Sequence, residues 1–137
     1  MKIAVATDDG ASIKKNHFGS SRYYQIIEIL NGEIISRELR RNPHTETKDK
    51  DHHPHGESGP ILELLADCSL FIGRSMGKKS VAAISAKRID CIITKFEMID
   101  DAVNNYLNGA DQGFKFYDAE AGKFISCQER ELKIRSV

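Results

Sequence analysis

The sequence is poor in cysteine: its 137 residues include only three, Cys68, Cys91 and Cys127, and no two of them form a C-x-x-C pair. An odd number of widely spaced cysteines argues against both a disulfide framework and a zinc site built from thiolates. Cys91 lies in the short apolar run DCIIT, where we expect a small buried hydrophobic side chain and not a metal ligand.

The sequence also lacks a long apolar run and an excess of charge of either sign. No run approaches the roughly 18 apolar residues that span a membrane, and the apolar part of MKIAVATDDG is too short for a signal peptide. We therefore expect a cytoplasmic protein with no membrane partner. Twenty basic and twenty acidic residues give a formal net charge of zero, so no overall positive field favours nucleic acid as a partner.

The composition is that of a globular protein. Hydrophobic residues make up 40% and charged residues 29% of the chain, far from the low hydrophobicity and high charge of disordered segments. Because single domains commonly contain about 100–150 residues, we expect one domain over residues 1–137.

The N-terminal third has the pattern of a strand followed by a β-hairpin. KIAVAT is a short β-favouring run that ends at the turn residues Asp8-Asp9-Gly10, which predicts a strand over 2–7. RYYQIIEIL and EIISRELR flank Asn31-Gly32, a dipeptide typical of type I′ turns because both positions need a positive φ. We therefore predict antiparallel strands over 22–30 and 33–40.

The following part alternates helices with short apolar strands. The predicted order continues with a helix from Gly59-Pro60, a strand at 69–73, a helix at 77–88, a strand at 89–94, a helix at 98–108 and a weak C-terminal hairpin around Glu120-Ala121-Gly122. This order predicts an α/β fold: a mixed sheet with an N-terminal antiparallel hairpin and later parallel strands, and helices packed on the sheet. In such sheets ligands collect at the carboxyl ends of the strands, where loops 8–20 and 73–78 emerge.

Residues 41–57, RNPHTETKDKDHHPHGE, contain no aliphatic residue, and a connection this long inside a small domain is usually functional or disordered. His52, His53 and His55 lie close together in it. In extended backbone, His53 and His55 project to the same side roughly 7 Å apart, a separation that suits capture of one transition metal. A metal site and a mobile polar loop are both open interpretations of this segment.

The loop after the fourth predicted strand reads GRSMGKKS. It lacks the spacing of a phosphate-binding P-loop, since only three residues separate Gly73 from Gly77. What remains is a glycine-framed turn that contains Arg74, Ser75 and Met76, and its N–H groups offer a modest anion site. A plain structural turn is an equal alternative.

Two carboxylates, Asp8 and Asp9, follow the first predicted strand. With further carboxylates they could hold magnesium, as in nucleases that use two metals, but no clear second and third acidic positions stand at strand ends. Aspartates that form a turn are the simpler interpretation.

His17 is followed by Phe18 and Gly19 in the loop that enters the second strand. An aromatic residue and a glycine beside a histidine can hold an imidazole at a fixed angle, as a ligand to a metal or cofactor must be held. These residues alone favour the alternative, a hydrogen-bonded loop histidine.

Taken together, several of these motifs resemble the dinitrogenase iron-molybdenum cofactor biosynthesis family. The resemblance is carried by MKIAVATDDG, by His17-Phe18-Gly19 before an aromatic-rich strand, by Asn42-Pro43 ahead of the histidine-rich segment, and by Gly73 with Met76-Gly77. It covers nearly all of residues 1–110.

This resemblance implies a ribonuclease H-like fold and non-enzymatic binding of an iron-sulfur or iron-molybdenum cluster, as in carriers of the nitrogenase cofactor. The histidine of H-F-G is implicated in cofactor binding in that family, and His17 is the matching position. Phe18 and Gly19 would then shape its pocket, with the turn Arg74–Gly77 facing it. Both loops lack cysteine, the usual cluster ligand, so imidazole and other donors would have to hold the cluster.

The leading hypothesis is a small protein that holds or delivers a metal ion or metallocluster without catalytic turnover. His17 would form the fixed site, and His52, His53 and His55 would fold over it. A metallocluster donor or recipient protein is the partner that this role implies.

Two alternatives remain open. One is a magnesium-dependent phosphoryl-transfer enzyme of the nuclease type that uses Asp8 and Asp9, which rests on fold analogy. The other is a protein-interaction module whose histidine-rich segment is ordered by a partner. The metal, the recipient and the oligomeric state are not specified by the sequence.

Overall fold

The computed structural model describes residues 1–43, 59–109, 112–127 and 129. The predicted metal ligands His52, His53 and His55 lie outside the described residues. In chain order, the elements are β1 (Lys2–Thr7), β2 (Tyr23–Leu30), β3 (Glu33–Arg41), α1 (Gly59–Leu64), β4 (Leu70–Gly73), α2 (Lys78–Ala86), β5 (Asp90–Thr94), α3 (Ile99–Leu107), β6 (Phe114–Asp118) and β7 (Lys123–Ser126). A single 3₁₀ turn, Phe18–Ser20, lies between β1 and β2.

The seven strands form one mixed sheet in the order β3-β2-β1-β4-β5-β6-β7. β1 is antiparallel to β2 and parallel to β4, and β4 is parallel to β5. The β2–β3, β5–β6 and β6–β7 pairs are antiparallel. The predicted α/β fold with an antiparallel N-terminal hairpin and later parallel strands is therefore confirmed.

The turn between β2 and β3 has the backbone that its sequence predicts. Asn31 has φ 52° and Gly32 has φ 78°, the two positive values that a type I′ turn requires. The boundaries of the other predicted elements agree with the structure to within one or two residues, except that α1 ends at Leu64 after only six residues.

The alternation of side chains along β1 divides the core into two clusters, one on each face of the sheet. Ile3 and Val5 pack on the face that α3 covers, through Ile99, Ala102 and Val103. Ala4 and Ala6 pack on the other face, which α1 and α2 cover through their apolar residues, among them Ile61, Val81 and Ile84. The helices thus lie on both faces of the sheet.

The strand arrangement brings several connections to one edge of the sheet. β1 and β4 are parallel neighbours, so the residues that follow Thr7 and Gly73 emerge side by side. Tyr23, at the start of β2, pairs with Thr7 on one side and with Arg41, at the end of β3, on the other. The loop 8–20, the turn 73–77 and the chain after β3 therefore meet at the carboxyl ends of β1 and β4.

A charged network ties β3 to the connection between α1 and β4. The Arg40 guanidinium donates to both carboxylate oxygens of Asp67, at 2.6 and 2.7 Å, and also to the Leu64 carbonyl oxygen at 3.1 Å. Lys2 Nζ adds a contact of 3.1 Å to Asp67. The Arg40 hydrogen bonds, with that of Lys2, hold the pKa of Asp67 well below its ordinary value, although partial burial opposes the shift.

We expect Asp67→Asn to lower the free energy of unfolding at pH 7 by about 1 kcal/mol, an estimate reduced for solvent screening because 42% of the side chain is exposed. A carboxylate whose pKa is depressed in the folded state stabilises the fold above its unfolded-state pKa. This contribution is lost as the pH falls through the folded-state pKa. Urea unfolding would be measured at several pH values from 7 down to 2. The difference in free energy of unfolding between wild type and Asp67→Asn should therefore become smaller as the pH falls.

Asp100→Asn is a matched control for this charge effect. Asp100 also pairs with an arginine, Arg37, at 2.7 Å, but its side chain is 69% exposed. Asp100→Asn should therefore lower the free energy of unfolding less than Asp67→Asn does. A difference between wild type and Asp67→Asn that stays constant from neutral to acid pH would contradict the electrostatic explanation.

No helix in the described parts of the chain has both the length and the apolar character needed to cross a membrane.

Candidate functional site

His17 occupies a left-handed backbone position at the start of the 3₁₀ turn, with φ 50° and ψ 82°. Non-glycine residues adopt this region at an energetic cost and persist there only where neighbouring contacts hold them. Here the Ser20 N–H donates to the His17 carbonyl oxygen at 2.9 Å, and Ser20 Oγ donates to the same oxygen at 3.1 Å. The side chain is exposed, and within the described residues its imidazole has no hydrogen-bond partner.

Phe18 anchors this turn in the core. Its ring is only 4% exposed, and it stacks on Phe71 of β4 with ring centroids 5.1 Å apart and an interplanar angle of 16°. The ring of Tyr24 lies at the same centroid distance, and its hydroxyl donates to the Phe18 carbonyl oxygen at 2.7 Å. Consecutive residues thus have opposite environments: the imidazole of His17 faces solvent, and the ring next to it is fixed to the sheet.

The turn after β4 lies directly against this anchor. The Phe18 N–H donates to the Ser75 carbonyl oxygen at 3.3 Å. A Cβ atom added to Gly73 would lie 3.2 Å from Phe18 Cδ2 and 3.6 Å from Met76 Cε, so a glycine at this position lets the ring approach the strand end. The predicted turn Arg74–Gly77 is therefore brought together with the loop of His17, Phe18 and Gly19.

Basic side chains are concentrated around this edge of the sheet. Arg74 is half-buried and precedes Ser75, while Lys15 and Arg22 are exposed on either side of the His17 turn. α2 begins with Lys78 and Lys79 and has no acidic residue in its first turn. Helix N-termini normally favour negative side chains, so two lysines here increase an already positive local potential. The arrangement favours an anionic group in front of the edge.

Asp8 and Asp9 are both occupied by contacts within the loop. Asp9 accepts hydrogen bonds from the backbone N–H groups of Ser12 and Ala11 at 2.7 and 2.8 Å, which hold its pKa well below the ordinary value. Burial alone would raise the pKa of Asp8, but Lys14 Nζ at 2.8 Å and the Arg22 N–H at 2.9 Å lower it. These contacts match the interpretation of both residues as aspartates that form a turn.

The cysteines add nothing to this edge. Cys68 and Cys91 are buried in the core cluster beneath α1 and α2, and burial raises the pKa of each thiol to about 12. At neutral pH both remain protonated, whereas a metal ligand must be a thiolate. Across residues 1–43, 59–109, 112–127 and 129, no group of three histidine, cysteine, aspartate or glutamate side chains is placed to hold a metal ion.

Two described residues that flank the stretch 44–58, Asn42 and Ile61, lie beside Gly19. At one end, Asn42 Nδ2 donates to the carbonyl oxygens of Gly19 at 3.2 Å and Ser21 at 2.9 Å. At the other end, Ile61 Cγ1 lies 4.0 Å from the position that a Cβ on Gly19 would occupy. The described residues on either side of the stretch that contains the predicted histidine ligands therefore lie next to the His17 turn.

Sequence reasoning missed two residues that hold the turn from below, Tyr24 and Asn42. Both are fully buried, and both direct polar groups at carbonyl oxygens of residues 18–21. The one signal in the sequence was Asn42-Pro43, which entered only as part of the family resemblance. The Phe18 ring belongs to the core, and its predicted role in shaping the pocket of His17 stays a prediction.

The fold and the turn define a mixed α/β protein with an exposed histidine, fixed by its backbone, at the edge where the carboxyl ends of β1 and β4 meet. The family model described as "Dinitrogenase iron-molybdenum cofactor" matches residues 1–109, and the chain belongs to this family. Membership suggests a role in the biosynthesis or carriage of that cofactor.

The chain is also similar to individual proteins. An uncharacterised protein of Methanocaldococcus jannaschii, MJ0580, is 27% identical over 115 residues, which cover 84% of this chain and 92% of that protein. The crystal structure of PH0822 superposes with a TM-score of 0.65 at 18% identity, covering 87% of this chain and 99% of the other. A protein from M. jannaschii, mj0327, described as a candidate dinitrogenase, gives a TM-score of 0.60 at 19% identity over 80% of this chain and 89% of its own. At these identities the two solved structures establish the fold alone.

Proposed function

We propose that this protein is a non-enzymatic carrier that binds a metal ion or a metallocluster of the iron-sulfur or iron-molybdenum type, with His17 as its fixed ligand. One observation carries the proposal: the His17 imidazole projects into solvent from a left-handed backbone position that the buried Phe18 and the Ser20 hydrogen bonds hold in place. Strained backbone positions that are held by their surroundings cluster at ligand-binding sites.

The chemistry of the turn favours a cluster over a bare ion. A bare transition metal in a protein usually takes three or four side-chain ligands. Among the described residues, no group of three histidine, cysteine, aspartate or glutamate side chains is placed to hold such an ion. A metallocluster brings most of its own coordination, so one imidazole can attach it. Such cargo also needs no thiolate from the buried cysteines.

The local charge favours the same cargo. Lys15 and Arg22 flank the His17 turn in the sequence, Arg74 lies in the turn that contacts it, and Lys78 and Lys79 open α2. A free divalent cation would be repelled by this set, whereas an anionic cluster would be attracted, most strongly at low ionic strength. The turn Arg74–Gly77 would thus face the cargo from the adjacent strand end, next to Phe18.

The histidine-rich segment remains part of the proposal as a second source of ligands. Asn42 and Ile61, which flank this segment, both lie beside Gly19. Each extended residue spans about 3.3–3.6 Å, so a segment of this length is long enough for His52, His53 or His55 to reach His17. A double variant, His53→Ala with His55→Ala, should then weaken binding beyond the loss caused by changing His17 alone.

The proposal retains four further predictions. A single domain over residues 1–137 and a cytoplasmic location remain predictions from composition. The ribonuclease H-like fold class is supported by the antiparallel β1–β2–β3 unit followed by parallel β4 and β5. A metallocluster donor or recipient protein remains the expected partner.

The two alternative functions keep their own tests. Magnesium-dependent cleavage of RNA or DNA that Asp8→Asn abolishes would establish the phosphoryl-transfer enzyme. Hydrogen exchange over residues 44–57 that a partner protein slows, and that metal leaves unchanged, would favour the interaction module.

We expect His17→Asn to reduce metal or cluster binding at least tenfold, a loss of about 1.4 kcal/mol or more in binding free energy, while the stability of the fold is retained. Asparagine tolerates the left-handed region well, so this variant removes the imidazole without adding backbone strain. Untagged protein purified without chelator would be assayed for metals. It would then be titrated calorimetrically with Zn²⁺, Ni²⁺ and Fe²⁺, and reconstituted anaerobically with iron and sulfide.

Arg88→Asn is the matched control, because Arg88 also has a positive φ, 63°, and precedes β5 at the opposite end of the sheet. This variant should bind as wild type does. If His17→Asn and wild type retain equal amounts of metal and cluster, His17 is not the ligand and the proposal is wrong.

A further inference from the structure

We propose that Asn42 is a positioning residue for the His17 imidazole: its side-chain amide fixes the turn that holds His17 in its left-handed conformation. This inference rests on the proposed binding role of His17. It adds a residue that does not touch the cargo but sets how well the ligand is presented to it.

The contacts of Asn42 join the turn to the sheet. Its side chain is completely buried, and its Nδ2 group donates to the carbonyl oxygens of Gly19, at 3.2 Å, and Ser21, at 2.9 Å. Its own backbone N–H donates to the Arg22 carbonyl oxygen at 2.8 Å. Since Asn42 directly follows β3, the side chain is held by a strand and reaches back more than 20 residues along the chain.

The side-chain chemistry at this position is specific. Only a primary amide offers two N–H donors on one nitrogen within this short reach, and the two carbonyl oxygens require two donors. An aspartate of the same shape would offer only acceptors at neutral pH and would repel both oxygens. Alanine or serine would leave at least one of these carbonyl contacts unmade inside the protein.

The contacts combine with those of Tyr24 into one system. The Tyr24 hydroxyl fixes the carbonyl oxygen of Phe18, and Asn42 fixes those of Gly19 and Ser21. Three of the four carbonyl oxygens from residues 18–21 therefore accept hydrogen bonds from buried side chains of β2 and of the residue after β3. His17 itself is joined to this turn through Ser20. Without the Asn42 amide, the turn loses the contacts that keep His17 in a conformation it would otherwise leave.

The test combines binding and exchange measurements on the full chain. Asn42→Ala should lower the amount of cluster retained after anaerobic reconstitution with iron and sulfide at least fivefold in the wild-type background. In the His17→Asn background the same substitution should have no effect, because a residue that acts through His17 has nothing left to position. A merely structural role would weaken binding in both backgrounds or in neither.

Hydrogen exchange followed by NMR provides a readout that does not need a metal. The Ser20 amide, which donates to the His17 carbonyl oxygen, should exchange at least tenfold faster in Asn42→Ala. The Ile99 amide, which donates to the Ala11 carbonyl oxygen, should change much less. If Asn42→Ala does not fold, Tyr24→Phe keeps the ring and removes the donor to Phe18, and the same pattern is expected.

The outcomes separate this inference from the proposed function. If wild type binds no metal or cluster, the proposed function fails, while faster exchange at Ser20 still supports the positioning role. Unchanged exchange at Ser20, or an equal loss of retained cluster with and without His17, would overturn the inference about Asn42.

Discussion

Replacing Phe18 with alanine is expected to lower the free energy of unfolding by about 3–5 kcal/mol, although Phe18 lies in a surface loop between two strands. The ring is 4% exposed, stacks on Phe71 and contacts the tilted ring of Tyr24, so its removal leaves a cavity between a loop and the sheet. Urea unfolding followed by circular dichroism would measure the loss. The same variant should weaken binding at His17, because the turn loses its anchor.

Phe18→Leu is the control for this prediction. Leucine fills most of the same volume, and hydrophobic exchanges of similar size usually cost less than about 1.5 kcal/mol. A loss below 1 kcal/mol for Phe18→Ala would mean that the loop is not part of the core, and would contradict the packing described for it.

A second large effect is expected at Gly113, which follows the turn after α3. Its φ is 89°, and a Cβ atom at this residue would lie 2.8 Å from Cε2 and 3.3 Å from Cζ of Phe96. The Gly113 carbonyl oxygen also accepts from Thr94 Oγ1 at 2.8 Å and from the Lys95 N–H at 3.0 Å, so the backbone is not free to move away. We expect Gly113→Ala to destabilise the fold by about 2–4 kcal/mol through strain and steric overlap.

Gly32→Ala separates the cost of backbone strain from the cost of steric overlap. Gly32 has a similar φ of 78°, but nothing lies within 4 Å of the position of its Cβ, so this variant should show the cost of backbone strain alone, about 1–2 kcal/mol. Unfolding curves of both variants give the comparison. Equal losses of unfolding free energy in Gly113→Ala and Gly32→Ala would show that the Phe96 ring moves aside without cost.

Local signals in the sequence predicted most of the elements. Asn31-Gly32 fixes the β2–β3 hairpin because the turn chemistry needs no distant partner, and the apolar spacing of Ile99, Val103 and Tyr106 defines the face of α3 in the same way. Such signals act over a few residues. They identify helices and strands well and predict their boundaries to within one or two residues of those observed.

Features that depend on distant contacts could not be predicted. Nothing in LFIG indicates that β4 lies next to β1, yet this pairing brings the His17 turn and the turn Arg74–Gly77 together. The burial of Asn42 likewise depends on carbonyl groups more than 20 residues away. The sequence likewise does not show that Phe71 and Tyr24 surround the ring of Phe18, a residue that was predicted to shape a pocket.

The contrast between Phe18 and its neighbour His17 has an evolutionary consequence. Folding alone would retain Phe18, because its ring fills the core, so the persistence of this residue among relatives would say little about binding. Folding gives no reason to keep His17: the residue is exposed, and glycine or asparagine would adopt its backbone conformation more easily. Retention of histidine at this position against that preference would be the mark of selection for a ligand.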